Sequence, residues 1–81
     1  MVQVIANMLG LPYVGTVGNT LVYDTGIVST GMGDRQVTRT VNRLFKKYKD
    51  TLQAIQDKYP GTVAGPCYNS LGSTITIDIT L

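Results

Sequence analysis

Histidine and glutamate are both absent from this 81-residue chain, so its five aspartates are the only side-chain acids. Histidine is the commonest general base and a common zinc ligand, and glutamate is a frequent carboxylate in catalytic sites. Their absence removes the commonest general base, the commonest zinc ligand and one of the two side-chain carboxylates. We therefore expect a protein that is not an enzyme and that uses no cofactor and no metal ion.

The chain has one cysteine, Cys67, and no apolar run as long as a signal peptide or a membrane span. One cysteine cannot form an intramolecular disulfide, which agrees with a reducing compartment. Because no histidine is present to lower its pKa, Cys67 is expected to be a small buried or loop residue rather than a nucleophile. We expect a single cytoplasmic domain, residues 1–81, with no membrane contact.

Charge is scarce outside one segment. Residues 1–33 carry one charged side chain, Asp24, and residues 60–81 carry one, Asp78. The other ten of the twelve charged residues lie between Asp34 and Tyr59, where seven cations outnumber three aspartates. This segment therefore differs in surface chemistry from the rest of the chain.

The segment from Asp34 to Tyr59 has the apolar spacing of one long amphipathic helix. Asp34 is the expected N-cap, and Pro60 with Gly61 is expected to end the helix. The predicted apolar stripe consists of Val37, Val41, Leu44, Phe45, Tyr48, Leu52, Ile55 and Tyr59. On the opposite side lie the basic residues Arg35, Arg39, Arg43, Lys46, Lys47 and Lys49.

Strand patterns flank this helix. Val2–Leu9 is read as a first strand, and two short β-prone runs, 13–17 and 20–23, form a predicted hairpin around Gly18 and Asn19. Residues 27–30 are expected to extend its second arm beyond a bulge at Gly26. Residues 62–73 are read as an ordered loop in which Val63, Cys67, Tyr68 and Leu71 serve as apolar plugs. The run 73–81 alternates polar and apolar side chains as a strand does.

The order strand, hairpin, long helix, strand predicts an α+β fold, a small and mostly antiparallel sheet with one long helix across one face. One helix cannot cover both faces of a sheet, and the flanking segments offer few charges for a second, solvated face. We therefore expect a homo-oligomer, a dimer or larger, in which another copy covers that face. The alternative is that a threonine-rich face simply tolerates water.

Two local patterns suggest chemistry but fit it poorly. Residues 26–33 begin like a phosphate-binding loop, yet Met32 and Gly33 stand where lysine and a hydroxyl residue belong, so a glycine turn is the simpler explanation. An anion at the helix start, helped by Arg35, would also meet competition from Asp34. Asp24 and Asp78 could form a carboxylate pair only if the fold brought them together.

The basic residues Arg35, Arg39, Arg43, Lys46 and Lys47 are the candidate site for nucleic acid or for an acidic protein surface. Tyr13, Tyr23 and Tyr68 are candidates for base stacking, although they are not interleaved with the cations. A charged, solvated helix face with no partner is the competing explanation. The sequence thus predicts a non-enzymatic, self-associating binding protein. The alternative is a structural or assembly subunit, such as a viral or phage component, whose uncharged sheet surfaces form the contacts.

Overall fold

The computed structural model describes residues 1–69 and 72–81. In chain order its elements are α1 (Val2–Leu9), β1 (Tyr13–Val17), β2 (Thr20–Val28), α2 (Asp34–Lys58), β3 (Val63–Asn69) and β4 (Thr74–Thr80). The strands of this part of the chain form one antiparallel sheet in the order β1-β2-β4-β3. The predicted α+β class, a small antiparallel sheet with one long helix, is confirmed.

The first element is a helix, so the prediction of a strand at Val2–Leu9 is wrong. Its buried side chains are Ile5, Ala6 and Leu9, which together with Val2 have the spacing of one helical face. Gly10 ends the helix in the left-handed conformation, with φ of 70°, and its amide donates to the carbonyl oxygen of Ala6. The Tyr23 hydroxyl donates to the Val2 carbonyl oxygen at 2.8 Å and ties α1 to β2.

The hairpin of β1 and β2 is confirmed, with Val17 paired to Thr20 across the predicted Gly18–Asn19 turn. β2 continues past a bulge between Asp24 and Ile27, as the sequence predicts, but it ends at Val28 rather than at Thr30. Since β1 pairs with β2 only as far as Tyr23, the end of β2 has β4 as its only strand neighbour among the described residues.

The long helix α2 begins at Asp34 with Gly33 as its N-cap, so Asp34 is the first helical residue rather than the predicted cap. Gly33 has no side chain, and no side-chain hydrogen bond caps this end. The buried line along α2 consists of Thr40, Leu44, Leu52 and Ile55. The prediction that Phe45 belongs to the apolar stripe is wrong, since half of its surface is exposed.

Residues 63–69 form the edge strand β3, which corrects the prediction of a loop over 62–73. Pro66 lies within this strand opposite Ile77. An edge strand tolerates proline because its outward side needs no amide donor for the sheet. The predictions for Ser70 and Leu71 fall outside the described residues.

The core lies on one face of the sheet, beneath both helices. Ile75, Ile77 and Ile79 of β4 are completely buried on this face, as predicted for the partners of the helix stripe. The continuous core cluster contains Ile5, Ala6, Leu9, Leu21, Tyr23, Leu52, Ile55, Ala64, Ile77 and Ile79. It therefore joins α1, the C-terminal half of α2 and the sheet. The other face of the sheet has no helix against it among the described residues.

Candidate functional site

All the cations predicted to form a binding surface lie on the solvent side of α2. Arg35, Arg39, Arg43, Lys46, Lys47 and Lys49 are exposed, and we call them the basic face. The side chains that α2 buries, such as Leu44 and Ile55, lie on the other side of the helix. From Arg35 to Lys49 the helix rises about 21 Å. The basic face is therefore an elongated array that points away from the sheet.

Within residues 1–69 and 72–81, no carboxylate forms an ion pair with the basic face. Lys47 instead lies over the ring of its neighbour Tyr48, with Nζ 5.3 Å from the ring centre. Such an exposed cation–π contact contributes about 0.5–1 kcal/mol and leaves the charge available. Asp50 lies on the same side of α2, one turn beyond Lys46, but forms no ion pair with it, so the positive charges of this surface still outnumber the negative ones.

Side chains of the basic face border two different depressions. Arg35 and Arg39, together with Asp34 and Thr38, line a shallow one of about 340 Å³. Arg43 and Lys47 line a second one, of about 350 Å³, that lies between α2 and the end of β2. The predicted site is therefore one continuous helix surface whose two ends have different surroundings.

The loop before α2 has the character of a turn. Gly31 has φ of 84°, a conformation that glycine adopts at little cost, and Met32 donates its amide to the Ser29 carbonyl oxygen. Gly26, at the bulge of β2, also has a positive φ of 77°, so backbone geometry accounts for both of these glycines without a phosphate group. Asp34 lies in the first turn of α2, where its carboxylate would repel an anion close to Arg35.

The tyrosines do not form a stacking platform beside the basic face. Tyr23 is completely buried, so the prediction that it could stack with a base is wrong. Tyr13 packs edge-on against Tyr23, with ring centres 5.7 Å apart. Tyr68 is 45% exposed but belongs to β3, not to α2.

The second candidate surface is the open sheet face, the side of the sheet opposite the helices. Strand alternation and pairing place on it Val17, Thr20, Val22, Asp24, Val28, Val63, Gly65, Cys67, Thr74, Thr76, Asp78 and Thr80. Val17 and Val63 are the most exposed large apolar residues of the described chain, at 73% and 67%. The charges of this face are two carboxylates, because every cation except the chain terminus belongs to α2.

Cys67 lies in a strand on this face, so it is neither the buried nor the loop residue that the sequence predicts. Although Cys67 is exposed overall, partial burial of its thiol, followed by the nearby Asp78 carboxylate, raises the pKa of Cys67. Thr76 donates its hydroxyl to Asp78 Oδ1 at 2.7 Å. A raised pKa keeps Cys67 protonated at neutral pH, which disfavours nucleophilic chemistry.

Asp24 and Asp78 share the open sheet face on neighbouring strands. Asp24 is opposite Thr76, so Asp78 is its diagonal neighbour, a position typically about 7–8 Å away. The Asp24 carboxylate accepts a hydrogen bond from the Gly26 amide at 2.9 Å. Among the described residues no group of three or more potential metal ligands is found.

The sequence does not reveal the groove beside Arg43 and Lys47, because its floor combines Leu44 with Ile27 and Met32 from distant positions.

Within the described residues, neither helix has the length and apolarity needed to cross a membrane. No protein-family model, curated protein or solved structure matches this chain.

Proposed function

We propose that this chain is a small, non-enzymatic nucleic-acid-binding protein that contacts the phosphate backbone through the basic face and also self-associates. The supporting observation is that six exposed cations lie on one side of one helix without an ion pair among the described residues. Cations that lack internal partners can release counterions from phosphates, which favours binding and makes it dependent on salt.

The spacing of the arginines suits an extended polyanion. Arg35, Arg39 and Arg43 follow each other every four residues, so each step rises about 6 Å along α2. Neighbouring phosphates along one strand of a duplex are separated by about 3.4 Å of axial rise. Successive arginines could thus contact phosphates about two nucleotides apart. The contacts would position the protein without reading the base sequence.

The placement of the aspartates supports a function without catalysis. Asp24 and Asp78 lie on the open sheet face, whereas Asp34, Asp50 and Asp57 lie on the exposed side of α2. Asp24 and Asp78 are thus neighbours on one face, but no third metal-ligating side chain joins them among the described residues, and the other three acids lie on the far side of the molecule. A catalytic site in a chain without histidine and glutamate would need them in one cleft.

Binding to a short labelled duplex, followed by fluorescence anisotropy over a range of salt concentrations, tests the proposal. Reversing two central cations, Arg39→Glu with Arg43→Glu, should weaken binding more than about tenfold and reduce the slope of log affinity against log salt by roughly 2. Far-ultraviolet circular dichroism checks that the helices are retained.

A control variant, Lys58→Glu, distinguishes binding through the basic face from binding that depends only on net charge. Arg39→Glu and Lys58→Glu change the net charge equally, but Lys58 lies in the last turn of α2, away from the basic face. We expect Arg39→Glu to be clearly the more damaging. Equal losses would mean that net charge alone drives binding, and no binding by the unmodified chain would leave the cations with a solubilising role. An acidic protein that competes with the duplex would identify the other class of anionic partner.

A second candidate function, a structural or assembly subunit, is favoured by the open sheet face. Three exposed valines, Val17, Val28 and Val63, lie on a face that has no cation. Another copy of the chain that packed there would remove these side chains from water, a gain of roughly 25 cal/mol for each Å² of apolar surface.

The size of this face limits the strength of such an assembly. Four strands spaced about 4.8 Å apart, with seven residues at about 3.3 Å each, give a face of about 19 by 23 Å. The area of a face with these dimensions is below the roughly 800 Å² that each partner buries in a standard interface. We therefore expect self-association that depends on concentration rather than a permanent dimer.

Light scattering coupled to size-exclusion chromatography over a wide concentration range tests the assembly. Thr76 lies on the open sheet face, but it is only 4% exposed and hydrogen-bonded to Asp78, so a charge inserted there would disturb the fold. Val63→Lys is the better variant because it places a charge on the surface without opening the core. It should shift the mass toward the monomer, whereas Val4→Lys on the exposed side of α1 should not. A monomeric mass for the unmodified chain at all concentrations would exclude the assembly.

A further inference from the structure

A groove with an apolar floor and a cationic rim lies between the N-terminal half of α2 and the end of β2. Its floor is formed by Ile27, Met32 and Leu44, and Arg43 and Lys47 stand at its rim. Its volume is about 350 Å³. The three floor residues are not part of the continuous core cluster. The groove also lies on the opposite side of the sheet from the open sheet face, because Ile27 pairs with Ile75 on the helix side.

The fold leaves this groove open because α1 covers only part of the sheet. α1 packs with Leu52 and Ile55, in the C-terminal half of α2, rather than with Leu44. β1 also ends its pairing at Tyr23, before β2 reaches Ile27. The N-terminal half of α2 thus has no second helix beside it among the described residues. Ile27 and Met32 remain partly exposed as a result.

We propose that this groove binds a short acidic, amphipathic segment of a partner protein. Apolar side chains of the segment would pack on Ile27 and Met32, and its carboxylates would lie against Arg43 and Lys47. The side chains that line the groove include two cations and no carboxylate, so its charge complements an acidic partner. The inference goes beyond nucleic-acid binding and shares with it only Arg43 and Lys47.

The lining distinguishes a peptide from a nucleic acid. No aromatic ring on which a base could stack lines the groove. The Thr40 hydroxyl, one of the few polar groups in its wall, already donates to the Gln36 carbonyl oxygen at 2.8 Å. An apolar floor gives no favourable contact to phosphate, whereas it can remove leucine, isoleucine or phenylalanine side chains from water.

Selection from a phage-displayed library of short random peptides, with the immobilised full chain as bait, tests the inference. We expect enrichment of peptides that combine two or more large apolar residues with aspartate or glutamate. The affinity of a synthesised, fluorescently labelled peptide from the selection is then measured by anisotropy. Met32→Glu should weaken its binding about tenfold or more, because it places a carboxylate in the groove. Val4→Glu, which adds the same charge on the exposed side of α1, should have little effect.

A second pair of cations separates this site from the nucleic-acid surface. Arg35→Glu with Arg39→Glu should weaken duplex binding but change peptide affinity less than about threefold, since neither residue lines the groove. Peptide binding without any duplex binding would support the groove and reject the proposed function. No enrichment, enrichment of basic or uncharged peptides, or selected peptides that bind Met32→Glu as tightly as the unmodified chain would overturn the inference.

Discussion

Replacing Tyr23 by phenylalanine tests the docking of α1, the element whose structure the sequence predicts wrongly. The substitution removes only the hydroxyl, which donates to the Val2 carbonyl oxygen at 2.8 Å. The ring keeps its buried position and its edge-on contact with Tyr13. If residues 2–9 instead formed a strand, this hydrogen bond to the first turn of α1 would not exist. The variant therefore reports on the arrangement of α1 and β2.

The expected loss of stability is about 1 kcal/mol, the net value of one hydrogen bond. For a domain of this size, 1 kcal/mol lowers Tm by roughly 4–8 °C. Urea denaturation with linear extrapolation gives the free energy of unfolding, and circular dichroism gives Tm. Tyr68→Phe is the matched control, because Tyr68 is 45% exposed, and a change within about 0.5 kcal/mol is expected for it. An unchanged or raised stability of Tyr23→Phe would refute the docking of α1.

The same residue predicts how stability depends on alkaline pH. Burial, followed by the charges of ionised Tyr13 and Tyr59, raises the pKa of Tyr23 above its ordinary value of 10.0. The folded chain therefore holds this proton more tightly than the unfolded chain does. The stability that the protonated Tyr23 hydroxyl contributes is fully present below about pH 10, and it is lost as the pH rises through the pKa of Tyr23 in the folded chain. Stability of the unmodified chain should fall more steeply above pH 10 than that of Tyr23→Phe, as measured by urea denaturation.

Three further predictions concern separate parts of the molecule. Ile55→Ala should lower the free energy of unfolding, measured by urea denaturation, by about 2–5 kcal/mol, because Ile55 is completely buried. Phe45→Ala should lower it much less, because half of the surface of Phe45 is exposed. Equal losses would contradict the orientation of α2. Asp78→Asn removes a nearby charge that raises the pKa of Cys67, so the thiol should react faster with a disulfide reagent near neutral pH; an unchanged rate would reject this contact. Asn19→Ala removes the donor to the Leu81 carbonyl oxygen and should cost about 0.5–1.5 kcal/mol, whereas no change in Tm would show that this bond contributes nothing.

The elements that the sequence predicts well are long or strictly periodic. α2 combines 25 helical residues with glycines before it and Pro60 after it, so alternatives are few. β4 alternates isoleucine with polar residues throughout. In contrast, Val2–Leu9 is short and apolar at almost every position, and such a run satisfies the period of a strand and that of a helix equally. Only packing against the sheet decides between them.

The remaining errors depend on neighbours that are distant in sequence. β3 contains glycine and proline, which predict a loop, but β4 pairs with it along its whole length. Phe45 fits the helical period, yet the buried side of α2 is set by where β3 and β4 lie. The amphipathic pattern of the sequence predicts the basic face directly, because it places the cations on the solvent side of the helix. It does not predict the groove, because the groove depends on α1 covering only part of the sheet.

The pairing of β2 with β4 has a consequence for how the chain folds. These central strands bring Thr20 next to Thr80, so the sheet closes only after most of the sequence has been brought together. The two hairpins can form locally, but joining them costs the entropy of closing a long loop that contains α2. Such non-local pairing slows folding relative to helical bundles of the same size. During synthesis, α2 therefore leaves the ribosome with its apolar stripe uncovered until β4 has also emerged.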